Sequence, residues 1–166
     1  MFNTKLVLST LFASYVCASA SLAHAQHHSA DHNHDHHHHG EAPLALELNN
    51  GEKWEIDPPL RKAMGDISEV MRNSMNDIHR GTLPAGEYAN IANQVNESIF
   101  YMIEKCELPP DADMQLHMVI HQLLEGVDKL NGNHDAAPRD GAVQIVEALD
   151  AYAEYFDDPK FEPVTH

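Results

Sequence analysis

From Leu60 onward the apolar residues recur three and four positions apart, and no stretch alternates apolar with polar over several residues. That period belongs to helices, not strands. The first run carries Leu60, Met64, Ile67, Met71, Ser74 or Met75, and Ile78, a seam fit to face other helices. Asp57 is its predicted N-cap, Pro58 its first helical residue and Gly81 its stop. The second run spans about 84–106, with Tyr88, Ile91, Val95, Ile99, Met102 and Cys106 on its seam. Pro109 and Pro110 end it, because a residue before proline is pushed out of helical space.

The third run starts near Asp111 and carries Leu116, Ile120, Leu123, Val127 and Leu130 until Asn131-Gly132-Asn133. The fourth opens near Pro138 with Ala142, Val146, Leu149, Tyr152 or Ala153, and Phe156, and Pro159 closes it. Connections this short make sequential helices antiparallel neighbours. The predicted fold is therefore all-α: an antiparallel up-down-up-down four-helix bundle over residues 58–157, with residues 158–166 as a C-terminal tail. Residues 43–57 form a connector, with a turn at Asn49-Asn50-Gly51 and Trp54 as an anchor onto the bundle.

The region before the bundle follows other rules. Lys5 precedes an apolar stretch at 6–16, and Ala23-His24-Ala25 is an A-x-A cleavage site, so residues 1–25 read as a signal peptide. Export to the periplasm and a mature start at Gln26 follow. The apolar stretch is too short to span a bilayer, and no later one approaches that length, so the mature chain has no membrane span. Residues 26–42 form a predicted disordered leader, because QHHSADHNHDHHHHG has no aliphatic residue beyond alanine with which to build a core.

Charge and cysteine narrow the chemistry. The formal charge of the whole chain is −16, and it becomes more negative once Lys5 is removed. With no basic stripe to neutralise phosphates, nucleic acid is not an expected partner. Cleavage removes Cys17 and leaves Cys106 as a single thiol, which cannot form an intramolecular disulfide. No Gly-rich phosphate loop, H-E-x-x-H motif or nucleophile elbow occurs, and the helices lack a di-iron E-x-x-H pair. The chain does not read as an enzyme.

The leader carries the strongest chemical signal. His27, His28, His32, His34, His36, His37, His38 and His39 crowd into it, with Asp31 and Asp35 between them. Neutral imidazole is the commonest protein ligand for zinc, copper and nickel, and a flexible segment lets several rings converge on one ion. Gln26-His27-His28 adds a sharper option. A free amine, two backbone amides and a histidine at the third position make a square-planar set for Cu(II) or Ni(II). A second candidate lies inside the bundle. Hairpin arithmetic puts Cys106 at the end of the second helix, with Met64, Met102, His117 and Tyr152 one layer inward, and Met114 and His121 flanking His117. Thiolate, thioether and imidazole form a soft set suited to copper; the competing reading is a plain core of methionines and a buried cysteine. The expected metal ligands are thus the eight leader histidines with Cys106, His117 and Met64.

Two resemblances bear on this. The bundle resembles the periplasmic b-type four-helix cytochromes in length and topology, with Met64 near that family's haem methionine. The last helix reads ALDAYAEYF and has no histidine, so a haem ligand is missing and haem is not expected. LNNGEKWEIDPPLRKAM and KCELPPDADMQLHMVI are similar to segments of a group of proteobacterial periplasmic proteins called DnrO-like. That resemblance implies a signal peptide, a His-rich leader and a helical domain, and it covers Cys106 and His117. The leading expectation is a periplasmic protein that buffers, sequesters or delivers Cu, Zn or Ni, with metal ions and a periplasmic metal-handling protein as partners. Its rivals are a haem-free cytochrome-like interaction module, and a haem protein that uses His117 or His121.

Overall fold

The computed structural model describes residues 45–165. The signal peptide and the His-rich leader expected at 1–25 and 26–42 lie outside the described residues. Those that are described form four long helices: α1 Pro58–Arg80, α2 Ala85–Lys105, α3 Pro110–Leu130 and α4 Pro138–Tyr155, with one 3₁₀ turn at Asn133–Asp135 before α4.

The helix ends follow from local chemistry. The Asp57 carboxylate accepts the Leu60 backbone N–H at 2.8 Å, satisfying one of the donors that a helix N-terminus leaves open. Pro58 and Pro59 then occupy the first turn, where a missing N–H costs nothing. Gly81 takes φ +66°, and Thr82 N–H returns to the Asp77 carbonyl at 2.9 Å, closing α1 with a left-handed cap. Pro84, Pro109 and Ala137 hold extended backbone just before α2, α3 and α4.

Each helix packs on its neighbour in sequence, and α1 also packs on α4, so the four enclose one core. The predicted seams are the buried faces. Met75, not Ser74, turns inward on α1, and Tyr152, not Ala153, on α4. Ser74 instead bonds the Val70 carbonyl of its own helix at 3.0 Å. Among the described residues no helix is long and apolar enough to cross a membrane.

The closest α3–α4 approach brings backbone against backbone. A Cβ on Gly141 would lie 2.5 Å from both the Gly126 carbonyl oxygen and the Leu130 nitrogen, and one on Gly126 would lie 2.6 Å from Ile145 Cγ1. Val127 and Ala142 do lie on the seam, but the closest approach runs through the glycine beside each.

The flanking segments are part of the domain. Asn50 and Gly51 both have positive φ (53° and 94°), the signature of a type I′ turn, and the Asn49 and Glu52 backbones bond each other across it. Trp54 is the anchor its composition predicts. Its backbone N–H donates to the Tyr155 carbonyl and its carbonyl accepts from Asp157 N–H, both at 2.8 Å, in a parallel bridge to Phe156. Its indole N–H donates to the Glu47 carbonyl at 2.7 Å, and Glu47 N–H donates to Gln115 Oε1 of α3 at 2.9 Å.

The expectation of a C-terminal tail at 158–166 needs correction. Val164 is buried in the core, and Phe161 meets the Tyr152 ring edge-on with centroids 5.1 Å apart. The fully buried Ser68 hydroxyl donates to the Glu162 carbonyl, and Arg72 pairs with the Glu162 carboxylate. The segment is a strap over α1 and α4. Sequence periodicity could not reveal it, because an extended strap has neither helical nor strand spacing.

Candidate functional site

The expected metal ligands fall into three environments. His27, His28, His32, His34, His36, His37, His38 and His39 lie outside the described residues. Met64 is wholly enclosed in the core, 0 % exposed. Cys106 is half-buried at the C-terminal end of α2, and His117 stands on the outside of α3 with 67 % of its side chain exposed.

The inward placement of His117 is therefore corrected. Leu116 and Ile120 lie at the centre of the buried stripe of α3. One residue further along an α-helix is a turn of about 100°, which carries position 117 off that stripe and into solvent. Met64 and His117 thus face opposite sides of the helical wall. Among the described residues no group of three or more His, Cys, Asp or Glu side chains that could hold a metal ion occurs.

Cys106 has a definite environment of its own. Burial pushes its thiol up to about 12, and the carboxylates of Asp57 and Asp113 push in the same direction. A thiol held in its protonated form is a poor nucleophile and must lose its proton before it can ligate. Asp57 does more than cap α1. Its second carboxylate oxygen accepts Glu107 N–H at 2.7 Å, tying the chain after α2 to the start of α1. Cys106 sits within this tie.

The outer face of α3 holds an arrangement that seam reasoning passed over. Asp113, His117, His121 and Glu125 follow one another at intervals of four, D-x3-H-x3-H-x3-E. Both rings are exposed, His121 at 73 %. His117 Nδ1 donates to the Asp113 backbone carbonyl at 2.8 Å and lies 3.5 Å from the Asp113 carboxylate. His121 Nδ1 lies 3.9 Å from the Glu125 carboxylate. His121 was legible as a neighbour of His117 on one face, and the same spacing shows the two carboxylates.

A polar knot sits at the end of α4. Tyr152 donates its hydroxyl to Asp158 Oδ2 at 3.0 Å, and Arg61 Nε donates to Asp158 Oδ1 at 3.1 Å. The Asp158 side chain is only 2 % exposed. Burial raises the Tyr152 phenol far above its ordinary range, with Asp158 adding to the shift, so it remains a hydrogen-bond donor. The rings of Tyr152, Phe156 and Phe161 pack around it. His117 and His121, the ligands of the alternative haem reading, do not face this core. The chain matches no protein-family model, no curated protein and no solved structure.

Proposed function

We propose that this chain is an exported, periplasmic metal-binding protein that captures copper, zinc or nickel ions through its His-rich leader, with the helical bundle as a compact platform. One observation carries this reading: eight imidazoles fall within residues 27–39, in a segment with no means of building a core. The leader is read as disordered for that reason, and its loose geometry suits exchangeable capture over permanent storage. Short connections and the packing of sequential helices support an up-down-up-down order. The positively charged start, apolar stretch and A-x-A site read in residues 1–25 support the compartment.

Equilibrium dialysis against Cu²⁺, Zn²⁺ and Ni²⁺ tests the reading. The chain lacking residues 26–40 should lose most of the ions that the full processed chain retains at pH 7. Equal stoichiometry in the two would end the leader's role. Uptake should also fade as pH falls through the ordinary imidazole range, about 6.5, because a protonated ring has no lone pair to donate.

A second reading, an interaction module, draws support from Phe100 and Ile103 on α2 and Met114 on α3, which are all exposed. It expects a partner that binds this patch and metal uptake that is the same with and without residues 26–40, whereas capture by the leader is lost with those residues.

A further inference from the structure

We infer that His117 and His121 form a second metal site, a two-imidazole chelate on the outer face of α3 for a borderline divalent cation such as Zn²⁺, Ni²⁺ or Cu²⁺. It uses none of the leader residues and stands or falls without them.

The geometry has three parts. First, residues four apart on a helix lie one above the other, with Cβ atoms about 5–6 Å apart, so two imidazoles can close on one ion between them. A histidine nitrogen binds such an ion at about 2.0–2.1 Å. α3 runs unbroken from Pro110 to Leu130, so the pair stands on rigid backbone in mid-helix. Second, the His117 ring is pre-set. A carbonyl oxygen only accepts, so the His117 bond to the Asp113 carbonyl requires the proton on Nδ1 and leaves the Nε2 lone pair free. Third, Asp113 and Glu125 bracket the pair, each beside the Nδ1 edge of one ring. Their negative charge beside the two rings favours a cation there.

Two ligands leave the remaining coordination positions to water or to a donor from outside the helix. The site therefore holds an ion that can be handed on, not one that is locked away. Its ligands come together only while α3 is helical, so binding favours the folded chain.

Histidine footprinting with diethyl pyrocarbonate, read by mass spectrometry on the intact chain with and without Zn²⁺, tests this. With zinc at about ten times its dissociation constant, carbethoxylation of His117 and His121 should fall together by roughly tenfold, as expected from the fraction of site left empty. His79, exposed on α1 with no histidine four residues away, should react as before. His117→Ala, which leaves the surface-facing helix intact, should return His121 to full reactivity in zinc, because a chelate needs both rings. Undiminished reaction of His117 and His121 in zinc would overturn the inference, as would continued protection of His121 in H117A. Leader peptides in the same digest report separately on the leader histidines, so failure of either site is seen without the other.

Discussion

The α3–α4 seam and the α1–α2 seam meet the same packing demand in different ways. Between α3 and α4 the backbones touch at Gly126 and Gly141, and the polar side chains sit outside that contact. There Lys129 donates to Gln144, which in turn donates to Glu125 at 2.6 Å. Between α1 and α2 no glycine draws the helices together. An open groove of about 580 Å³ remains, lined by Lys62, Asp66, Glu69, Gln94, Glu97 and Tyr101 among others. Lys62 lies 5.5 Å from the Tyr101 ring centroid and pairs with Asp66. Ridge-and-groove packing sets helix separation by the size of the side chains at the contact. The smallest residues therefore make the closest and least forgiving seam, and the larger polar ones make a seam with slack.

Substitutions can break this contrast, and the largest effect is expected at Gly141. Gly141→Ala places a methyl group against backbone that has nowhere to move, so thermal unfolding should show a loss of about 3 kcal/mol, the upper part of the overpacking range. Gly126→Ala should cost less, because its nearest backbone obstacle, the Gly141 carbonyl oxygen, stands at 3.0 Å and not at 2.5 Å, although Ile145 Cγ1 at 2.6 Å must also give way. Equal stability of Gly141→Ala and the parent would mean the seam is not closed by backbone.

On the other seam the expected weak point is the tie at its end, not its middle. Asp57→Ala removes the α1 cap and the bond from Glu107 N–H, and denaturant unfolding should register about 2 kcal/mol, the sum of a lost cap and one lost hydrogen bond. Gly65→Ala inverts the sign. Nothing lies within 4 Å of the added methyl, so α1 should gain up to about 1 kcal/mol from helix propensity alone. A loss at Gly65 would mean that the α1 surface is more crowded than the contrast allows.

A further effect concerns pH. The Cys106 thiol is held up to about 12, from an ordinary 9.0, by burial and then by Asp57. The folded chain thus keeps this proton more tightly than the unfolded chain does. The contribution is whole below about pH 9 and is lost as pH rises through about 12. Cys106→Ala removes it, so the stability advantage of the parent over the variant should shrink between about pH 8 and about pH 11 in paired unfolding curves. A constant difference across that span would place the thiol in ordinary solvent.

The helices were legible in the sequence because their signals are local: Asp57 and Pro58 at one end of α1, Gly81 at the other, and a three-four spacing between. The Gly126–Gly141 contact was not, because it depends on how two helices register, and neither glycine adds hydrophobicity to a seam. The outward turn of His117 lay within reach, since Leu116 and Ile120 fix the phase of α3. The environment of Cys106 did not, because Asp57 is distant in the chain and reaches it only through the fold. The strap through Phe161 and Val164 was likewise hidden in a stretch without periodicity.

The bridge between Trp54 and Phe156 bears on when the domain can form. It clasps residues that leave the ribosome near the start of the bundle to residues that leave near its end. A nascent chain halted before Phe156 lacks one half of that clasp, as well as the knot that Asp158 makes with Tyr152 and Arg61. Closure of this edge therefore waits for residues 156–158, and a growing fragment that lacks them stays open along it.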